Sequence, residues 1–272
     1  MKINYSIVSR YPAPLRLGVF IVSLLILWLP TAIPFFFLFK DDLNFRTIVT
    51  MSLLYINFII LLFFWNSKIH GISNWWRIYG LTFTKKNIIE LLNGLTIGLF
   101  FTFGLFFVEM ILGWVVFVKP SQNLSSLIFE GLLSAFAIAF AEELLFRGWL
   151  LEELKMNYSI KTSLVCNSFI FATLHFLKPL QEVIRTFPQF PALFLIGMIL
   201  VQAKTKCNNR LGICIGIHGG LVWGYYILNV GKIIKYTGKA SLIFTGIDNN
   251  PIAGIMGLAG LIILFFLVRW KR

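Results

Sequence analysis

Of the 272 residues, 58% are hydrophobic and 13% charged, which excludes an ordinary soluble domain, where about a quarter of residues are charged and about half are apolar. The formal net charge of +13 lies mostly in segments between long apolar runs, so it reads as topology signal and attraction for anionic lipid, and no nucleic-acid partner is expected. Apolar runs of ~20 residues recur along the whole chain, which selects membrane-spanning helices over the alternating ~10-residue strands of an outer-membrane barrel. The expected fold is all-α, a polytopic helical membrane protein with about eight spans.

In chain order, the first span covers about 17 to 39 and contains Pro30 and Pro34, which predict a kink. The second covers about 47 to 65. The segment from 66 to 87, with Trp75, Trp76, Arg77, Tyr79, Lys85 and Lys86, reads as interfacial and amphipathic, its aromatics suited to the headgroup level. A third span, about 88 to 118, is too long to stand untilted, so its first turns are placed at the interface. The fourth covers about 124 to 151, the fifth 160 to 177, the sixth 190 to 205, the seventh 211 to 231 and the eighth 251 to 269. Three regions follow: 1–87 with two spans and the interfacial segment, a membrane core over 88–231, and 232–272 with a loop and the last span.

Alternate loops differ in basic residues. With the N-terminus inside, the cytoplasmic segments hold fifteen Lys and Arg, including Lys2, Lys204, Lys271 and Arg272, against eight on the other side. That bias predicts both termini in the cytoplasm. The first apolar run is long enough for a mature span and lacks a signal-peptide cleavage site. Cys166, Cys207 and Cys214 form no CxxC and read as small apolar residues.

The chemistry concentrates in the fourth span, in Ala141-Glu-Glu-Leu-Leu-Phe-Arg-Gly-Trp-Leu150. A charge at mid-bilayer costs about 3 kcal/mol on insertion scales, so three ionisable groups within six residues need compensation. On a helix Glu143 and Arg147 stand four apart and share a face, which predicts an ion pair; Glu142 is rotated about 100° away and is left free. The alternative is a purely structural pair that fixes helix packing. Of three histidines, His175 in FIFATLHFL and His218 in GICIGIHGGLVWG fall within apolar segments. Either alone reads as an interhelical hydrogen-bonder, whereas two histidines and a free glutamate from three spans predict one polar cavity. Gly216, Gly219 and Gly220 would let a neighbouring backbone approach His218 closely, and Phe171 stands one turn before His175. A carboxylate in such a cavity can act as general base toward water while an imidazole orients that water or donates to an oxyanion.

Glu142-Glu143-x-x-x-Arg147, then Phe171-x-x-x-His175, then His218, resembles the CPBP family, the CAAX-protease and bacteriocin-processing (Abi) group of intramembrane glutamic endopeptidases, or type II CAAX prenyl endopeptidases. The resemblance covers about 90 to 230, and TGIDNNPIAGIMGLAGL with HGGLVWGYY is further similar to the cyanobacterial and plastid branch, which implies an inner or thylakoid membrane. It implies that Glu142 activates water with His175, that Glu143 and Arg147 orient the site, and that His218 stabilises the oxyanion. It also implies a peptide or protein substrate in the membrane and no cofactor. The family's His-x-x-x-Asn/Asp motif is broken here, because position 222 is Val; Trp223 is the nearest substitute donor.

Other readings stay open on the residues alone. Glu142, His175 and His218 could ligate zinc, although no HExxH is present. Val222 suits a catalytically weak or inactive scaffold or immunity-type protein of the same fold. A proton-relaying transporter is disfavoured by the lack of an inverted repeat. Glu109 and Glu130 read as cavity-lining or boundary residues, and Glu152, Glu153 and Lys155 as a solvated helix end.

Overall fold

The computed structural model describes residues 5–120 and 122–270, so Lys2, Lys271 and Arg272 of the charge comparison lie outside the described residues. Most of the described structure is helical, and six of its helices are long and apolar enough to cross a membrane. Two shorter apolar helices, Ile160–Leu174 and Ile255–Arg269, occupy the positions of the fifth and eighth expected spans. The chain is an integral membrane protein.

Two compact units divide it, Met1–Arg77 and Ile78–Arg272. In the first, α1 (Ala13–Leu38) runs through Pro30 and Pro34 without breaking, and α2 (Leu43–Phe64) continues in a π turn to His70. Asp42 caps α2 by accepting from the Phe45 N–H. Polar groups within these helices bond across them: the Trp28 indole donates to the Thr50 carbonyl at 2.9 Å and the Asn57 amide to Thr31 Oγ1 at 3.2 Å.

The second unit carries the motifs. Its first long helix, α3 (Lys85–Ile111), is capped by Thr84. It stops seven residues before hydropathy alone predicts, because Gly113 adopts φ +70° and closes a Schellman turn, with Gly113 N–H on Met110 O and Trp114 N–H on Glu109 O. The remaining apolar residues form β1 (Val115–Phe117), antiparallel to β2 (Ile234–Tyr236) with Val116 opposite Lys235. This small ribbon is the one departure from an all-helical fold among the described residues.

Asn123 caps α4 (Leu124–Glu143), which passes through a π turn, Leu144–Leu150, into a last helical turn ending at Lys155. Next comes α5 (Ile160–Leu174), capped by Ser159, then a short helix Leu180–Thr186 leading into α6 (Phe190–Lys206). The last two are α7 (Gly212–Tyr225), extended by a π turn to Val230, and α8 (Ile255–Trp270).

The seam between α3 and α7 is backbone against backbone. A Cβ on Gly98 would lie 2.3 Å from the Ile217 carbonyl, and one on Gly220 2.3 Å from that of Leu95. Gly94 and Gly216 meet in the same way one turn earlier. This is small-residue packing in place of a hydrophobic force that lipid cannot supply, and it clamps α7 on both sides of His218. Gly219 faces Ala139 at an ordinary 3.6 Å and takes no part in the clamp.

Two assignments made from sequence change. The end of α4 is not a solvated helix end: Glu153 is 1% exposed, and Glu152 pairs with both Lys155 and Lys204. Lys204, counted with the cytoplasmic loops, is a fully buried residue of α6. The common cause is that α4 runs a turn beyond the predicted span, to Lys155, and there packs against α6, where Glu152 meets Lys204.

Candidate active site

The site forms where the end of α4 meets α5 and α7. Glu143 is wholly buried and receives Arg147 Nη1 on Oε1 at 2.9 Å, the expected pair four residues apart. The same oxygen receives His218 Nδ1 at 2.8 Å. Arg147, also wholly buried, lies with its guanidinium carbon 4.2 Å from the centre of the Phe171 ring, a cation–π contact that supports the charge where water cannot. Phe171 also packs edge-on against Phe146, at 5.0 Å between centroids, and against His175 at 4.6 Å.

Glu142 points away from this pair. Its Oε2 is buried with no hydrogen-bond partner among the described residues and lies 3.9 Å from His175 Nε2 and 3.9 Å from His218 Nε2. The remainder of the Glu142 side chain, like that of His175, is about a third exposed (32% each). The structure thus brings Glu142, His175 and His218 to one point from three helices.

The other ring nitrogens fix the tautomers. His175 Nδ1 faces the Phe171 carbonyl at 2.8 Å, an acceptor only, so Nδ1 carries the proton and Nε2 of the neutral ring offers a lone pair toward Glu142. His218 Nδ1 faces an arginine-paired carboxylate, so it too donates, and its Nε2 carries a proton only when the ring is cationic.

Val222 stands one turn after His218 and lines, with His175 and His218, a mostly apolar cavity of about 370 Å³. Lys178, Gln189 and Asn250 are the polar groups of the wall besides the histidines and Thr102 and Tyr225. Trp223 is turned elsewhere, its indole N–H donating to the Ile128 carbonyl at 2.9 Å. No group of three or more His, Cys, Asp or Glu among the described residues is arranged to hold a metal ion.

One family model matches the part of the chain that holds Glu142, Glu143, Arg147, His175 and His218. The model described as type II CAAX prenyl endopeptidase Rce1-like matches residues 123–224. This segment of the chain is Rce1-like. It begins at the cap of α4 and ends within α7, so it contains every residue of the charged cluster. The match implies CAAX protease activity in the broad sense, and with the apolar helices it fits a peptide substrate held in a membrane. No match was found among curated proteins or among solved structures.

The Rce1-like segment does not build the cavity alone. Phe101, Thr102 and Leu105 of α3 and Asn250, Pro251 and Ile252 before α8 complete the wall. Glu109 is not part of it: fully buried, it receives the Tyr236 hydroxyl on Oε2 at 3.2 Å. Glu130 lies exposed near the start of α4, as a boundary residue does.

Sequence reasoning missed the π turn and two side chains on it. The Asn167 amide donates to the Phe146 carbonyl at 2.7 Å, and Lys204 Nζ donates to that of Arg147 at 2.6 Å. Asn167 carried a signal, as a polar residue inside the apolar run SLVCNSFIF. Lys204 carried none, because a Lys at a span end normally reaches water.

Proposed function

We propose that this chain is a membrane-embedded endopeptidase that hydrolyses a peptide bond of a membrane-associated peptide or protein with a water activated by Glu142. The observation that carries the reading is the position of Glu142 Oε2, 3.9 Å from each of two imidazole Nε2 atoms and without a hydrogen-bond partner among the described residues. Each separation is too long for a direct hydrogen bond, and one water can touch all three groups.

The two histidines divide the work. His175, its Nδ1–H tied to Phe171, accepts one proton of the water at Nε2 and so orients it. Glu142 accepts the other and takes it as the water oxygen bonds to the scissile carbonyl carbon. His218, cationic with Glu143 behind it, donates Nε2–H to the carbonyl oxygen as that oxygen becomes an oxyanion. Glu142 then returns the proton to the leaving nitrogen as the C–N bond breaks, which yields a carboxylic acid and an amine. Glu143 and Arg147 touch no substrate in this scheme and act as positioning residues. The bias of Lys and Arg supports both termini on the cytoplasmic side.

The test uses the full chain purified in detergent and a farnesylated CAAX peptide, with membrane proteomics comparing wild type and Glu142→Gln as a substrate-independent arm. Glu142→Gln is expected to abolish cleavage and leave the melting profile unchanged; cleavage at the wild-type rate overturns the mechanism. Added 1,10-phenanthroline is expected to leave the rate unchanged. Inhibition reversed by zinc would assign Glu142, His175 and His218 to a metal instead.

Val222 favours a second reading, a scaffold of the same fold that has lost catalysis. Under it the wild type cleaves nothing, and Glu142→Gln lowers thermal stability as much as Arg147→Leu does.

A further inference from the structure

Two buried side chains outside the catalytic cluster hold the helix turn on which that cluster stands. Between Leu144 and Leu150, α4 widens into a π turn, and the Leu151 N–H bonds to the Phe146 carbonyl, five residues back. In an α-helix that N–H would serve Arg147. The Arg147 carbonyl is therefore denied its ordinary donor, on a residue that is wholly buried. Lys204 Nζ, from α6, supplies one at 2.6 Å. The ammonium is itself 0% exposed and is balanced by Glu152 Oε1 at 2.9 Å. One residue earlier, the Phe146 carbonyl accepts a second hydrogen bond, from the fully buried Asn167 of α5.

We propose that Lys204 and Asn167 are positioning residues for the Glu142 centre, which keep residues 144–150 in the π form and so fix Glu142 relative to His175 and His218. The inference rests on the endopeptidase reading above. Its physical basis is register. A π turn accommodates one more residue than an α turn, so its collapse would rotate the two ends of α4 against each other by about 100°. The end before the turn carries Glu142 and Glu143 and faces His218 on α7. The end after it is held by α5 and α6, and α5 also carries His175, eight residues after Asn167. The Asn167 bond thus connects the glutamate helix to the helix that leads to His175, and the Lys204 bond ties the same turn to α6. A buried cation aimed at a main-chain carbonyl has no evident packing purpose that Leu or Met would not serve better.

Neither residue lines the cavity, so substrate binding and turnover separate. Lys204→Met keeps an unbranched side chain one atom shorter and removes the donor. Asn167→Leu keeps the shape, removes the donor and also removes a buried Oδ1 that has no partner among the described residues. In wild-type-normalised assays on the farnesylated CAAX peptide, each is expected to lower kcat by about a hundredfold, the cost of a displacement on the order of 1 Å, with KM within about threefold. A folded Lys204→Met and a folded Asn167→Leu that both retain wild-type kcat overturn the proposal. If Lys204→Met does not fold, Asn167→Leu decides alone.

A structural arm separates this proposal from the hydrolase reading. In an experimental structure of either variant, residues 144–150 are expected to relax to an α-helix and the 3.9 Å spacings at Glu142 to be lost. Relaxation in a protein whose wild type cleaves nothing upholds the positioning role and removes the hydrolase reading. A π turn unchanged in both variants removes the positioning role whatever the activity.

Discussion

His218 Nδ1 lies 2.8 Å from Glu143 Oε1, the same oxygen that holds Arg147 at 2.9 Å. One carboxylate oxygen thus serves a buried cation and the ring that lines the apolar cavity. Glu143→Gln keeps an acceptor oxygen at this point but removes the negative charge that both groups face, and kcat is expected to fall about a hundredfold or more. Stability is expected to fall by ~3–5 kcal/mol, since Arg147 is left buried and uncompensated. Arg147 Nε and Nη2 already have no acceptor among the described residues. The double variant Glu143→Gln/Arg147→Met is expected to recover most of the stability and none of the rate. Thermal unfolding in detergent beside steady-state kinetics measures both; recovery of rate in the double variant would show that Glu143 acts only through Arg147.

Val222 points into the cavity that His218 lines, on the next helical turn. An amide there would add a second donor near the developing oxyanion, and one such donor in a preorganised site is worth ~100-fold or more. Val222→Asn is therefore expected to raise kcat, by up to about that factor, with little cost in stability because the cavity is open enough to hydrate the amide. Trp223→Phe is expected to change kcat by less than about twofold, because its N–H is committed to the Ile128 carbonyl. A large loss on Trp223→Phe with no gain on Val222→Asn would move the oxyanion site away from position 222.

How far these features could be read from sequence depends on what determines each one. The Glu143–Arg147 pair follows from helical spacing alone, which a π turn starting after Glu143 perturbs too little to separate them. The convergence of His175 and His218 on Glu142 followed from the cost of polar groups in lipid, which leaves them few places but each other. The π turn was not legible, because LLFRGWL carries no local signal for an inserted residue and its donors come from Asn167 and Lys204 on other helices. The end of α3 was misread from sequence: Gly113 stops the helix, but the apolar run Val115–Val118 beyond it imitates continued span while pairing as a strand. Burial of Glu153 and Lys204 depended on tertiary packing of a helix end that composition marks as wet.

The glycine seam between α3 and α7 gives the last test. Gly98→Ala would place a methyl 2.3 Å from the Ile217 carbonyl, a contact that only separation of the helices relieves. Overpacking of this kind costs ~1–3 kcal/mol. His218 neighbours Ile217, so the same separation moves its Nε2 from Glu142, and kcat is expected to fall further than the loss of stability accounts for. Gly104→Ala is the control on the same helix. A Cβ there meets nothing within 4 Å, and replacing a helical glycine by alanine is neutral or stabilising. Melting temperature and kcat, measured on both variants, are expected to drop together for Gly98→Ala and to hold for Gly104→Ala. Equal behaviour of the two would show that the seam does not set the position of His218.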